Sequence, residues 1–94
     1  MKVIFKDPPM DAFFFEEVME AGRKSPSATI INDVLYEFNF RNMKFNFNGA
    51  PDNYLLSTVE GSVVFTPKHV LVIDNSGDPL SVTLEYFQNN YQLI

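Results

Sequence analysis

Val34-Leu35-Tyr36-Glu37-Phe38-Asn39-Phe40-Arg41-Asn42-Met43-Lys44-Phe45-Asn46-Phe47-Asn48 carries the clearest strand pattern in the chain. Val34, Tyr36, Phe38 and Phe40 alternate with Asp33, Leu35, Glu37 and Asn39, the period of a strand with one buried face. Met43, Phe45 and Phe47 alternate with Lys44, Asn46 and Asn48 in the same way. The parity flips at Arg41-Asn42, as a two-residue hairpin turn requires. Pairing about that turn predicts Phe40 opposite Met43, Phe38 opposite Phe45 and Tyr36 opposite Phe47 on one side. Glu37 then meets Asn46, and Asn39 meets Lys44, on the other. The alternative is a bulge within one long bent strand.

Outward from the hairpin, Asn48-Gly49-Ala50-Pro51-Asp52-Asn53 is dense in turn formers and reads as a loop. Tyr54–Val59 and Ser62–Phe65 read as strands broken at Glu60-Gly61. Val70-Leu71-Val72-Ile73 is an unbroken apolar run, the mark of a strand that lies centrally or is covered on both faces. After the turn at residues 74–79, Val82, Leu84 and Tyr86 alternate with Ser81, Thr83 and Glu85 and predict a last strand. Residues 88–94 read as an edge strand or a loose tail.

Towards the N-terminus, residues 2–6 predict a short strand stopped by Asp7-Pro8-Pro9. Residues 11–21 predict the one helix, with Asp7 or Asp11 capping its first turn. Phe14, Phe15, Val18 and Met19 share its apolar face, and Gly22 suits the position just past its end. The order implies an α+β domain spanning residues 1–94. Its sheet is an antiparallel, curled meander of about six or seven strands, with one short helix packed on a face.

Composition limits the functions available. The 94 residues are 46% hydrophobic and include ten Phe, four Tyr and no Trp. That is ample for a globular core, though a thin one at this length. Cysteine is absent, which removes thiolate metal sites and cysteine catalysis and favours a reducing, cytoplasmic setting. The N-terminal apolar run is interrupted too early for a signal peptide, and no stretch approaches a membrane span.

Net charge is −5. Residues 49–94 hold Asp52, Glu60, Asp74, Asp78 and Glu85 against Lys68 alone. That sign opposes direct binding to a phosphate backbone.

The search for chemistry finds little. His69 is the only histidine and follows Lys68, so it reads as a strand-end residue, not a catalytic base. A second His or Cys for a metal site does not exist. Asp74-Asn75-Ser76-Gly77-Asp78 has oxygens at alternate positions, but without the distal Glu of a calcium loop it reads as a hairpin turn. Gly22, Gly49, Gly61 and Gly77 form no phosphate-binding loop. No catalytic residue, metal or cofactor is implied.

Three features point to binding. Phe13 falls with Glu16, Glu17 and Glu20 on the polar helix face, an aromatic anchor among carboxylates, unless it folds back under Pro8-Pro9. Glu37, Asn39, Lys44 and Asn46 form the polar face of the hairpin, solvated or meeting a partner. Tyr91, Leu93 and Ile94 end the chain without charge. They read as a final strand in their own sheet, or as an addition to another sheet's edge that would make a homo-oligomer.

The leading expectation is therefore a non-enzymatic protein-interaction module, an adaptor, inhibitor or assembly subunit. In size and texture it resembles small phage or mobile-element proteins, without a family. The alternatives are an acidic nucleic-acid mimic that blocks a basic protein, and a small barrel binding or transforming a small molecule. Direct nucleic-acid binding and membrane association are not expected.

Overall fold

The computed structural model describes residues 2–4, 10–74 and 76–93. The chain runs β1 (Lys2–Ile4), β2 (Met10–Phe14), α1 (Phe15–Arg23), β3 (Thr29–Ile31), β4 (Val34–Phe40) and β5 (Met43–Phe47). It continues through β6 (Tyr54–Thr58), β7 (Gly61–Phe65), β8 (His69–Ile73), β9 (Pro79–Thr83), α2 (Leu84–Asn90) and β10 (Gln92–Leu93). The fold is α+β with antiparallel strands. These divide into two five-stranded sheets, one ordered β10-β1-β2-β8-β9 and the other the meander β3-β4-β5-β6-β7.

From Glu37 to Phe40 the central hairpin has the register that its alternation implies, whereas the expected Tyr36–Phe47 pair is not part of the ladder. Phe40 pairs with Met43, Phe38 with Phe45, Asn39 with Lys44 and Glu37 with Asn46. Arg41 and Asn42 both hold positive φ, 50° and 66°, the two left-handed residues of a type I′ turn. The single bent strand is thereby excluded. Phe38 and Phe45 stack with ring centroids 4.9 Å apart and planes 3° from parallel.

One parity in β4 differs from the alternation. Leu35 is fully buried and Tyr36 is 40% exposed. The cause is a bulge: Thr29 pairs with Glu37 and Ile30 with Leu35, leaving Tyr36 as the extra residue. The bulge turns Leu35 inward, and Tyr36 still meets the Phe47 ring edge-on at 5.2 Å. β3, which sets this bulge, is a strand that the sequence reading placed nowhere.

Residues 11–14 belong to a strand, not to the start of a helix. β2 lies between β1 and β8, with Lys2 opposite Asp11 and Phe14 opposite Val70. Pairing on both sides outweighs the modest helical preference of this short stretch. α1 therefore begins at Phe15, where the Glu17 carboxylate accepts the backbone N–H of Phe14 (3.0 Å). Asp11 caps nothing; it accepts from Lys2 (2.6 Å) and Arg41 (3.2 Å). The expected stop at Asp7-Pro8-Pro9 lies outside the described residues.

Gly22 is not the residue past the helix end either; α1 runs to Arg23 and its C-cap is Lys24. A Cβ on Gly22 would stand 2.6 Å from the Phe38 ring, so the absent side chain is what lets α1 lie against β4.

Two apolar clusters result. The larger fills the space enclosed by the two sheets and α1, with Phe15, Val18, Met19, Leu35, Phe38 and Phe45 among its members. The smaller lies on the other face of the β10-β1-β2-β8-β9 sheet: Val3, Ala12, Val70, Val72 and Phe87. β8 supplies Leu71 and Ile73 to the first and Val70 and Val72 to the second, so its unbroken apolar run reflects cover on both faces. At one side the Ser81 hydroxyl donates to the Val64 carbonyl (2.7 Å), joining edge strand β9 to edge strand β7.

The last strand ends earlier than its alternation implies. Thr83 turns the chain into α2 by accepting the Tyr86 N–H on its hydroxyl (3.1 Å). α2 presses Phe87 onto the sheet, and Val3 then pairs with Leu93, so β10 returns to the chain's own sheet, while Ile94 lies outside the described residues. Among the described residues no helix is long and apolar enough to cross a membrane.

Candidate functional site

The residues singled out from sequence do not assemble into one site. Phe13 is in β2, half-buried, facing the main core. Its ring takes the edge of Phe40 at 5.1 Å and carries the Arg41 guanidinium 4.7 Å from its centroid. It is thus a link between β2 and the tip of the central hairpin, not an aromatic anchor beside the helix carboxylates. Its expected contact with Pro8-Pro9 lies outside the described residues.

Glu16, Glu17 and Glu20 are exposed along α1. Glu17 holds the helix start, and Glu20 pairs with Lys24 one turn on (3.2 Å). On the hairpin's polar face, Glu37 and Lys44 form an ion pair at 2.6 Å. The Asn39 N–H donates to the Ser27 hydroxyl (3.0 Å), and Asn46 pairs with Leu55 on the next strand. Glu17, Glu20, Glu37 and Lys44 are thus engaged within the chain by their side chains, and Asn39 and Asn46 by their backbone.

His69 opens β8. The Thr66 backbone N–H (3.2 Å) and hydroxyl (2.8 Å) both reach its Nδ1. An N–H can only donate, so Nδ1 accepts and the ring proton sits on Nε2. Burial holds the imidazole below its ordinary pKa. Between β8 and β9 the Asp74 carboxylate accepts the N–H groups of Ser76 and Asp78, both at 2.9 Å. Among the described residues no three His, Cys, Asp or Glu side chains are grouped to hold a metal ion.

The concave surface that best suits binding lies elsewhere, on the outer face of the β10-β1-β2-β8-β9 sheet. Leu80 pairs with Val72 and Val82 with Val70, which puts all four side chains on that face. α2 is two turns long and covers only part of it, with Phe87 set edge-on against Phe14 (6.0 Å). Beside the helix a groove of about 430 Å³ remains, lined by Met10, Leu80, Val82, Thr83, Tyr86 and Tyr91. None of these six carries a charge. Leu80 is 48% and Tyr86 44% exposed.

Tyr91 stacks on Phe87 at 5.2 Å and lines the groove. Burial raises its hydroxyl above the ordinary phenol pKa. Of the sequence candidates only Tyr91 lines this groove. Thr83 followed by Glu85 is a helix-start signal in the sequence, and it is the one cue to α2 and hence to the groove.

No family model, curated protein or solved structure matches the chain.

Proposed function

We propose that this chain is a non-enzymatic, cytoplasmic protein-interaction module, an adaptor, inhibitor or assembly subunit, that receives apolar side chains of a partner protein in the groove beside α2. One observation carries the reading: a charge-free concavity built from two Tyr, a Met, a Leu, a Val and a Thr, with Leu80 and Tyr86 presented to solvent. Interface cores are depleted of charge and enriched in Tyr and Met, and partners place anchor side chains in such pockets. The acidic-mimic alternative needs free carboxylates in rows, whereas Asp11, Glu20 and Glu37 are each tied to a neighbouring Lys or Arg.

The test is affinity capture from the native host's lysate at low and high salt, with light scattering on the pure protein. The groove reading expects a captured protein that resists salt. Leu80→Asp should weaken its binding by about 2 kcal/mol or more, since it places a charge at the apolar contact. Capture that high salt releases and Leu80→Asp leaves intact would sink the reading in favour of charge mimicry. A monomer that captures nothing would sink it outright.

A further inference from the structure

A second concavity, of about 250 Å³, opens where α1, the β3–β4 turn and the β5–β6 loop meet. Arg23 comes from the last turn of α1, Asp33 from the turn and Asp52 from the loop. Leu35, Phe47 and Tyr54 supply its apolar walls. Three formal charges of both signs therefore line one small cleft. None of the three is in an ion pair among the described residues, although the surface forms four other Lys or Arg pairs with carboxylates.

The charges are held by built structure. Asp33 is in a two-residue turn between paired Ile31 and Val34. The loop bearing Asp52 is closed by Asn48 N–H to the Asn53 carbonyl (2.8 Å) and by the two Asn side chains (3.1 Å). The Tyr54 hydroxyl donates to the Leu35 carbonyl (2.7 Å), which leaves its oxygen free to accept. Arg23 and Asp52 both act on this hydroxyl electrostatically, in opposite senses, so both charges bear on the same wall.

A ligand that satisfies this arrangement needs a cation for the carboxylates, an anion for the guanidinium and an apolar part for the walls. At about 250 Å³ the cleft has room for one small molecule.

We propose that this cleft is a binding site for a small zwitterion of the free α-amino-acid class. The ammonium is taken by Asp33 and Asp52, the carboxylate by Arg23, and an apolar side chain lies against Phe47 and Tyr54. This site is separate from the groove beside α2 and stands or falls independently of it.

The test is an NMR titration of the full chain with L-leucine, N-acetyl-L-leucine and L-leucinamide. The amides of Asp33 and Asp52 and the rings of Phe47 and Tyr54 are followed. Leucine should give saturable shifts at these positions, and removing either charge should weaken binding by about tenfold or more. Arg23→Gln should abolish the preference for leucine over leucinamide, and Asp33→Asn with Asp52→Asn the preference over N-acetyl-leucine. All three residues are exposed, and an otherwise unchanged spectrum verifies each variant's fold. Absence of saturable shifts at about 10 mM leucine would overturn the proposal. Equal binding of the three probes, or binding unaffected by the substitutions, would also overturn it.

Discussion

At Gly22 a single hydrogen in place of a methyl group decides how a helix meets a sheet. Alanine is the better helix former by about 1 kcal/mol, so on local grounds Gly22→Ala should stabilise α1. The added Cβ would stand 2.6, 2.8 and 2.9 Å from three carbons of the Phe38 ring. That ring cannot yield easily, because it is fully buried and stacked on Phe45. Overpacking of this kind costs about 1–3 kcal/mol, which exceeds the helical gain. Gly22→Ala is therefore expected to lower the urea midpoint, by a net effect of up to about 2 kcal/mol. Combined with Phe38→Leu the penalty should shrink, and a double-mutant cycle measures that coupling. Equal penalties in both backgrounds would show that the ring is not the obstacle.

At the scale of elements, the C-terminal third shows how a cap overrides an alternation. Val82, Leu84 and Tyr86 continue the period of β9, yet the strand stops at Thr83. The Thr83 hydroxyl satisfies the Tyr86 N–H, and α2 then buries Phe87 against Val3, Ala12, Val70 and Val72. A seven-residue helix has little stability of its own, so it depends on this cap and this one buried ring. Thr83→Ala is expected to cost about 1 kcal/mol, while Thr83→Ser keeps the acceptor and most of the stability. Hydrogen exchange at the amides of Phe87 to Asn90 should accelerate in the first variant only. Acceleration spread evenly over both sheets would instead mark a global loss unrelated to the cap.

For the whole molecule, acidification should act in two steps. His69 is held below its ordinary pKa of 6.5 by burial, so the folded state prefers the neutral ring. Its contribution is fully present above the unfolded value and is lost as pH falls through the lower folded one. Asp11 is depressed below 3.8, chiefly by its hydrogen bond from Lys2. Its contribution persists above that value and fades as pH falls through the folded one. Asp11 also receives Arg41 from the central hairpin, so the second step loosens a link from one sheet to the other. His69→Asn keeps an acceptor near the Nδ1 position and removes the titration. Urea midpoints between about pH 7.5 and 5.5 should fall for the parent chain and stay level for this variant. A parallel fall in both would assign the pH dependence to other groups.

Part of this fold is decided by neighbouring residues among themselves. The Arg41-Asn42 turn brings Phe38 to Phe45 and Asn39 to Lys44, because a hairpin's register follows from its turn and its alternation. Val70 to Ile73 announced cover on both faces, since an apolar run has no side left for water. Tertiary structure decided the rest. The conformation of residues 11–14 depended on strands β1 and β8 flanking them, and the inward turn of Leu35 on a bulge set by β3. Pairing between distant strands divided them into two sheets, and that division gave the outer face on which α2 lies and the groove opens. The cleft at Arg23, Asp33 and Asp52 likewise joins three elements well separated along the chain. Periodicity reports which side of an element is apolar, whereas a site depends on which elements become neighbours, and that is decided by packing.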